Sequence, residues 1–497
     1  MAKTNFKGII SIVLIILLMT MSACGTQETP ETPDKSDNNE IIDTDVLVVG
    51  AGGAGLSAAV AARENGAEVL VLEKNGFVGG ATAVSGGLFV GGASKLQEEL
   101  GVTEDTPEQI FEDLLAGGKD NDETMLWLFA NNNGKMIDWL YYDLKLPVIL
   151  ELNPFVEHKY DRLFAMEGGA SGITSSLNDK LQEIGGKVMV QTKATELIFK
   201  DEKVIGVKAS GKDKDYEIYA DSIILATGGY GANKDLLPDS VNNVLYYGPS
   251  VATGDGLLMA EEIGAGTMYL DHVKIYPQGI EIAEGIGAVS TGGSMSATKQ
   301  EGAIYVNKFG ERVVNENAAF TDIRDVTLEQ EEQMIYLVMD QPAFDVWKTS
   351  MLSKMNEAKI NEYVEQNGGT PMFANSDTIE GAAEIAGIDK EVLASTVERW
   401  NEMVDAGVDD DFGNTLLNNI DEGPFYIIEQ KLRFASTLGG LVITESMQVL
   451  DNNGNVIEGL FAAGEIIGGA HGKDSMPGCN VGWALTTGML AGKSVTE

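Results

Sequence analysis

Gly50-Ala51-Gly52-Gly53-Ala54-Gly55 has the spacing G-x-G-x-x-G and sits between a short apolar run, Asp45 to Val49, and a stretch of helical character, Leu56 to Asn65. In that setting Gly50 permits the tight turn, Gly52 lets the backbone approach a pyrophosphate, and Gly55 allows close packing of helix on strand. Gly53 and Ala54 complete the turn placed against the cofactor, and the N-terminus of the helix that follows supplies amide donors and a positive dipole end that favour phosphate. A second apolar run, Ala67 to Leu72, ends at Glu73, the distance expected for an acid that binds a ribose hydroxyl pair. This combination predicts a dinucleotide site, and an acid at position 73 would repel the 2′-phosphate of NADP.

Little else in the chain offers independent chemistry. The three histidines, His158, His272 and His471, have no metal-ligand spacing. Beyond Cys24 the only cysteine is Cys479, so no disulfide or paired-cysteine redox centre is expected, and Cys479 reads as a small packed residue. No C-x-x-C-H haem signature occurs.

The elements that must position the glycine turn follow from the surrounding pattern. Strand, helix and strand run from Asp45 to Leu72, and Thr106-Pro107-Glu108-Gln109 has the spacing of a helix start. Short β-type runs, Val188 to Gln191, Glu196 to Phe199, Val204 to Ala209 and Ser222 to Ala226, suggest a meander beside the first unit. Residues 272 to 436 are mixed, with a helix around Lys390 to Val404, and residues 437 to 497 return to strand, glycine turn and helix. The reading is an α/β chain, a Rossmann-like domain in two parts, 44–271 and 437–497, with an inserted α+β capping domain, 272–436.

Lys3 and Lys7 precede an apolar run from Ile9 to Met21, followed by Ser22-Ala23-Cys24, the order of a secretory signal. Met-Ser-Ala-Cys resembles the bacterial lipoprotein processing box. It implies cleavage before Cys24 and a lipid on its thiol, which would hold the protein at the outer face of the cell membrane. Residues 25 to 43, rich in Thr, Pro, Glu, Asp and Asn, read as a disordered tether. With 34 basic against 76 acidic residues and a net charge of −42, the chain is not expected to bind nucleic acid.

From Asp45 to its end the chain resembles the flavoprotein family of fumarate reductases and succinate dehydrogenases, with urocanate reductases and ketosteroid dehydrogenases. Gly79-Gly80-Ala81-Thr82 with Ser85-Gly86-Gly87 looks like the family's loop against the FAD phosphates and flavin. Ala226-Thr227-Gly228-Gly229 is similar to its A-T-G-G strand end, Thr253-Gly254-Asp255-Gly256 to its T-G-D-G turn, and Gly464-Glu465 to the segment whose acid binds the ribityl chain. Lys74 and Ala194 complete the set placed against the cofactor. Gly478-Cys479-Asn480 precedes an apolar helix whose N-terminus would suit the anionic reduced flavin. The resemblance implies one FAD. With a single glycine motif in convincing context, no NADH site is expected, and electrons would come from an external donor, a redox protein or a quinol-linked flavoprotein. Ser171-Gly172-Ile173-Thr174 is similar to a covalent FMN attachment motif but reads as a loop before a helix.

In the family's fumarate reductases the substrate is clamped by histidines and arginines, and an arginine donates the proton. Here Gly310-Glu311-Arg312-Val313-Val314-Asn315-Glu316 resembles the family turn, which makes Arg324 the candidate proton donor. Tyr276-Pro277 stands where a His-Pro pair is expected, no histidine occurs around Ser436-Thr437, and no arginine near Asp474-Ser475-Met476. Losing that set removes the grip on a dicarboxylate and argues against fumarate. Tyr276 is the second candidate acid, with Lys299, Arg433, Lys473 and His471 as further possible substrate contacts. The expectation is reduction of an activated double bond in a small acid or enone. The alternatives are a dehydrogenase acting beside a ketone and a non-catalytic flavin carrier.

Overall fold

The computed structural model describes residues 40–155, 157–415 and 418–496, so the leader, Cys24 and most of the expected tether lie outside the described residues. The expected tether, 25–43, is corrected at its last four residues. Glu40 to Asp43 already belong to the first strand, Glu40–Val49, and pair in parallel with Tyr216 to Tyr219. Of these four side chains only Ile42 is half-buried and the others are exposed, so sequence polarity hid a strand held by backbone bonds.

The second half of that strand, Val46 to Val49, is buried on both faces, as an interior parallel strand must be. It pairs in parallel with Val69–Leu72 on one side and Asp215–Leu225 on the other. The Asp215–Leu225 strand has two neighbours along its far edge. Its first half takes the antiparallel meander Lys193–Lys200 and Lys203–Ser210, while Ile223 to Leu225 pair in parallel with Leu460 to Ala462. Val49, Leu225 and Ala462 therefore end side by side. The residues that follow them emerge at the carboxyl ends of parallel strands, where open α/β sheets bind ligands.

Two helices seal this sheet. The helix Gly53–Glu64 starts at the third glycine of the turn, three residues before the expected start, and packs on the C-terminal helix Cys479–Ser494. Small residues allow backbone contact: a Cβ on Gly488 would lie 2.3 Å from the Ala54 carbonyl oxygen. The helix Pro107–Gly118 begins as expected, the Thr106 hydroxyl accepting from the Gln109 amide at 3.2 Å.

The cap is a mixed sheet ordered Leu245–Tyr246, Ile286–Val289, Val273–Ala283, Phe425–Thr437, Met334–Met339 and Ile304–Val306. Ile427 and Ile428 point to opposite faces, one into a cluster around Trp400 and the other into one around Trp347, so helices cover both sides. Leu245–Tyr246 pairs with Arg433 and Phe434, so the cap sheet also draws on residues upstream of 272. The long Phe425–Thr437 strand runs from the centre of the cap to the parallel sheet, where the Thr437 amide donates to Glu465 at 3.1 Å.

Candidate active site

A cavity of about 980 Å³ lies at the carboxyl ends of the three parallel strands and runs up to the cap. At its nucleotide end Gly50 has φ +107°, and a Cβ there would meet the Ala226 carbonyl oxygen at 2.4 Å. A Cβ on Gly55 would lie 1.9 Å from the Gly50 carbonyl oxygen, so Gly55 serves packing and does not line the cavity. Gly52, Gly53 and Ala54 do line it, with the Gly53 amide tied to the Thr82 hydroxyl at 3.2 Å. Glu73, 6 % exposed, accepts from the Ala51 amide at 3.0 Å and the Asn75 amide at 2.8 Å. These two bonds fix its carboxylate on the cavity wall, where a ribose hydroxyl pair would meet it.

Lys74, Ala194 and Asp255 line the same end. Lys74 donates to Asp255 at 2.7 Å and Lys193 pairs with it at 3.1 Å. Burial opposes ionisation of Asp255, but the two lysines hold its carboxyl below the ordinary range. Next come Gly80, Ala81 and Thr82 of the short helix Gly80–Ala83, then Ser85 and Gly86 of the following turn. Gly87 is set back from the cavity and packs on Ala170.

Further along, Ala226, Thr227, Gly228, Glu465, Gly478 and Asn480 form the wall. Gly478 caps the C-terminal helix with φ +76°, placing the helix N-terminus at the cavity. The Thr227 hydroxyl and the Asn480 side-chain oxygen are buried and have no protein partner. Buried polar groups need partners, and these two suit a polar ligand running along the wall. Cys479 is fully buried, and burial pushes its thiol up to about 12, so it packs and does not react at neutral pH. The Ser171 to Thr174 run lies inside the helix Gly169–Glu183, with Thr174 buried.

Glu465 is enclosed by protein apart from its face on the cavity. Burial pushes its carboxyl up to about 7, against bonds from Thr437 and Gly229 that favour ionisation. A folded-state pKa above the unfolded value contributes stability below the ordinary glutamate range and loses it as pH rises through the folded pKa. Ligand-free protein should therefore lose stability between about pH 4.5 and 7, and Glu465→Gln should flatten that part of the profile. Thermal melts across this range check it; an unchanged slope in the variant would exclude Glu465 as its source.

At the cap end, Tyr276, Pro277, Arg433 and His471 line the cavity, joined by Phe155, Tyr247, Ile282, Val289, Thr291 and Phe320. Tyr276 meets Tyr247 edge-on, ring centroids 6.4 Å apart, and the Lys274 ammonium lies 4.7 Å over its ring. Burial, then the neighbouring Tyr247, raises the phenol's pKa and keeps it protonated. His471 is held neutral, pushed down to about 4 by burial and by Lys274.

Arg324 does not reach the cavity. It sits on the helix Phe320–Glu329, donates to Asp325 at 2.8 Å and pairs with Asp474, which also pairs with the buried Lys274. Two carboxylates hold its guanidinium. Lys299 is exposed and away from the cavity, and Lys473 pairs with Asp120 at 3.1 Å. Tyr247 and Phe155 were missed because neither sits in a motif; Tyr247 follows a strand of only two residues.

Residues 45–481 match the FAD binding domain family. The chain is 33% identical over 462 residues to urocanate reductase of Eggerthella lenta, covering 90% of this chain and 74% of that protein. It is 29% identical to a cytochrome-type fumarate reductase of Shewanella frigidimarina, over 91% of this chain and 77% of the relative. The solved open conformation of a flavocytochrome c3 fumarate reductase superposes with TM-score 0.73 at 30% identity, over 92% of this chain and 78% of that one. A 3-ketosteroid delta1-dehydrogenase from Sterolibacterium denitrificans shares the fold, TM-score 0.76 at 20% identity, over 91% and 99%. With the cavity fitted to a long polar ligand and the match spanning almost all described residues, the chain belongs to the fumarate reductase and succinate dehydrogenase family of flavoproteins, and its cofactor is FAD.

Proposed function

We propose that this FAD-dependent oxidoreductase reduces the double bond of a small unsaturated compound activated by one carboxylate or carbonyl group. The observation that carries this reading is that Tyr276, a phenol kept protonated by burial, opens into the same cavity as the flavin-binding wall. Bound FAD, once reduced, supplies the hydride for the β-carbon. Tyr276 holds the proton for the α-carbon, so the double bond takes up one H⁻ and one H⁺, two electrons and two hydrogens in all, and the tyrosine is left as phenolate. Lys274 beside the ring favours the phenolate left behind, and the apolar cap residues Val289 and Phe320 limit the access of water to the reacting centre.

The absence of carboxylate-binding histidines at Tyr276 and Ser436 supports a substrate other than fumarate. Electrons would come from an external redox partner. Holoprotein reduced with viologen should be reoxidised by an unsaturated acid or enone; no reoxidation across a broad panel would sink the reading. Anchoring through lipid on Cys24 at the outer membrane face is part of the same proposal, supported by the leader pattern. Mass spectrometry of the mature N-terminus tests it, and an unmodified chain starting elsewhere refutes it.

A further inference from the structure

Four of the six arginines in this chain are neutralised by acids. Arg162 grips Asp105 and Asp113, Arg312 grips Glu316 and Asp409, Arg324 holds Asp325 and Asp474, and Arg399 holds Asp411. Arg63, half-buried, instead donates to the carbonyl oxygens of Ile184 and Ala67. Arg433 differs from all of these. It is 5 % exposed and lines the cavity, yet among the described residues no carboxylate lies within ion-pair distance.

Its partners orient the guanidinium without neutralising it. Nε donates to the Gln278 carbonyl oxygen at 3.3 Å and Nη2 to the Thr291 hydroxyl at 2.8 Å. Its Cζ lies 4.5 Å from the Tyr247 ring centroid and 5.1 Å from that of Tyr276. A buried guanidinium without a counter-ion is destabilising, and a fold that retains one at a cavity wall is built for an anion that arrives from outside.

Position points the same way. Tyr276 and Arg433 are register partners on the antiparallel strands Val273–Ala283 and Phe425–Thr437. Directly opposed residues on such strands project from one face of the sheet as neighbours. In an α,β-unsaturated acid the α-carbon is bonded to the carboxyl carbon, so a proton donor for the one and an anion receptor for the other must be adjacent.

Among the described residues, none of the other cations of the wall is both buried and free of an acid. Lys74 and Lys193 belong to Asp255 at the nucleotide end, Lys354 is exposed, and His471 is neutral. The wall thus has a site for one carboxylate and no second buried cation for another, and the cap side around it is apolar.

Resting on the ene-reductase reading, we infer that Arg433 receives the substrate carboxylate, and that the substrate class is an α,β-unsaturated monocarboxylate with an apolar β-substituent.

The test uses FAD-loaded protein with cinnamate, crotonate, methyl cinnamate and fumarate, and the variants Arg433→Met and Arg433→Lys. Wild type should reduce cinnamate or crotonate in preference to fumarate. Arg433→Met should raise KM for the acid on the order of 100-fold, with a smaller change in kcat. KM for the methyl ester should barely move, and Arg433→Lys should recover only part of the loss. Binding of saturated 3-phenylpropanoate to the oxidised holoprotein, read from the flavin spectrum, should weaken in parallel. Arg433→Met should melt at or above the wild-type temperature, whereas Arg162→Met, which strands two acids, should melt well below it.

If wild type reduces neither acids nor enones, the functional reading itself fails. Reduction of enones but no acid, a preference for fumarate, or acid KM and 3-phenylpropanoate Kd in Arg433→Met within about threefold of wild type would overturn this inference and leave that reading standing. A melting loss in Arg433→Met as large as in Arg162→Met would also overturn it, by making Arg433 a structural residue.

Discussion

Gly52→Val is expected to give a folded protein without colour. The backbone at Gly52, φ −81° and ψ −172°, is open to any residue, and a Cβ there would find nothing nearer than the Gly79 carbonyl oxygen at 3.9 Å. The chain therefore tolerates the side chain, but its methyl groups enter the cavity where the turn offers its amides to a pyrophosphate. Loss of two charge-assisted bonds, each worth roughly 1.5–3 kcal/mol, lowers FAD affinity on the order of 100- to 10,000-fold. Visible absorbance after purification and after incubation with excess FAD measures the loss, and circular dichroism with thermal melting establishes that the fold survives. Gly55→Val is the contrasting case. Its Cβ would collide with the Gly50 carbonyl oxygen at 1.9 Å, so it should damage folding together with flavin binding. Full flavin occupancy in Gly52→Val would remove the glycine turn from the binding site.

Tyr276→Phe should lower kcat by roughly 100-fold or more, the usual range for loss of a positioned general acid, with little change in flavin content. The ring's contacts explain the selectivity: the edge-on packing against Tyr247 and the cations at Lys274 and Arg433 act on the ring, which phenylalanine retains. Only the hydroxyl is lost. Stopped-flow reoxidation of the reduced protein isolates the chemical step from donor turnover. Because burial raises the phenol's pKa, wild-type activity should show no loss of the acid through neutral and mildly alkaline pH. A larger drop in Arg324→Gln than in Tyr276→Phe would move proton donation to the arginine.

These two residues mark the boundary between what could be read along the chain and what could not. The glycine turn, Glu73 and the short motifs at Thr82, Ala226, Asp255 and Glu465 were legible because a nucleotide is held largely by backbone amides at strand ends. That geometry demands particular small residues at fixed local spacing. All of the cofactor set except Gly55 and Gly87 lines one cavity, and those two are packing glycines behind it. The motif resemblance placed Arg324 against substrate equally well, yet its guanidinium is taken by Asp325 and Asp474, the latter 150 residues away.

By itself, then, the sequence determined the cofactor class and the Rossmann-like α/β architecture with its capping domain. The register of the Val273–Ala283 and Phe425–Thr437 strands was decided only in three dimensions, and with it the pairing of Tyr276 and Arg433, as was the absence, among the described residues, of any acid paired with that arginine. A side chain's charge state and reach depend on what packs against it from distant parts of the chain, and local spacing carries no record of those neighbours.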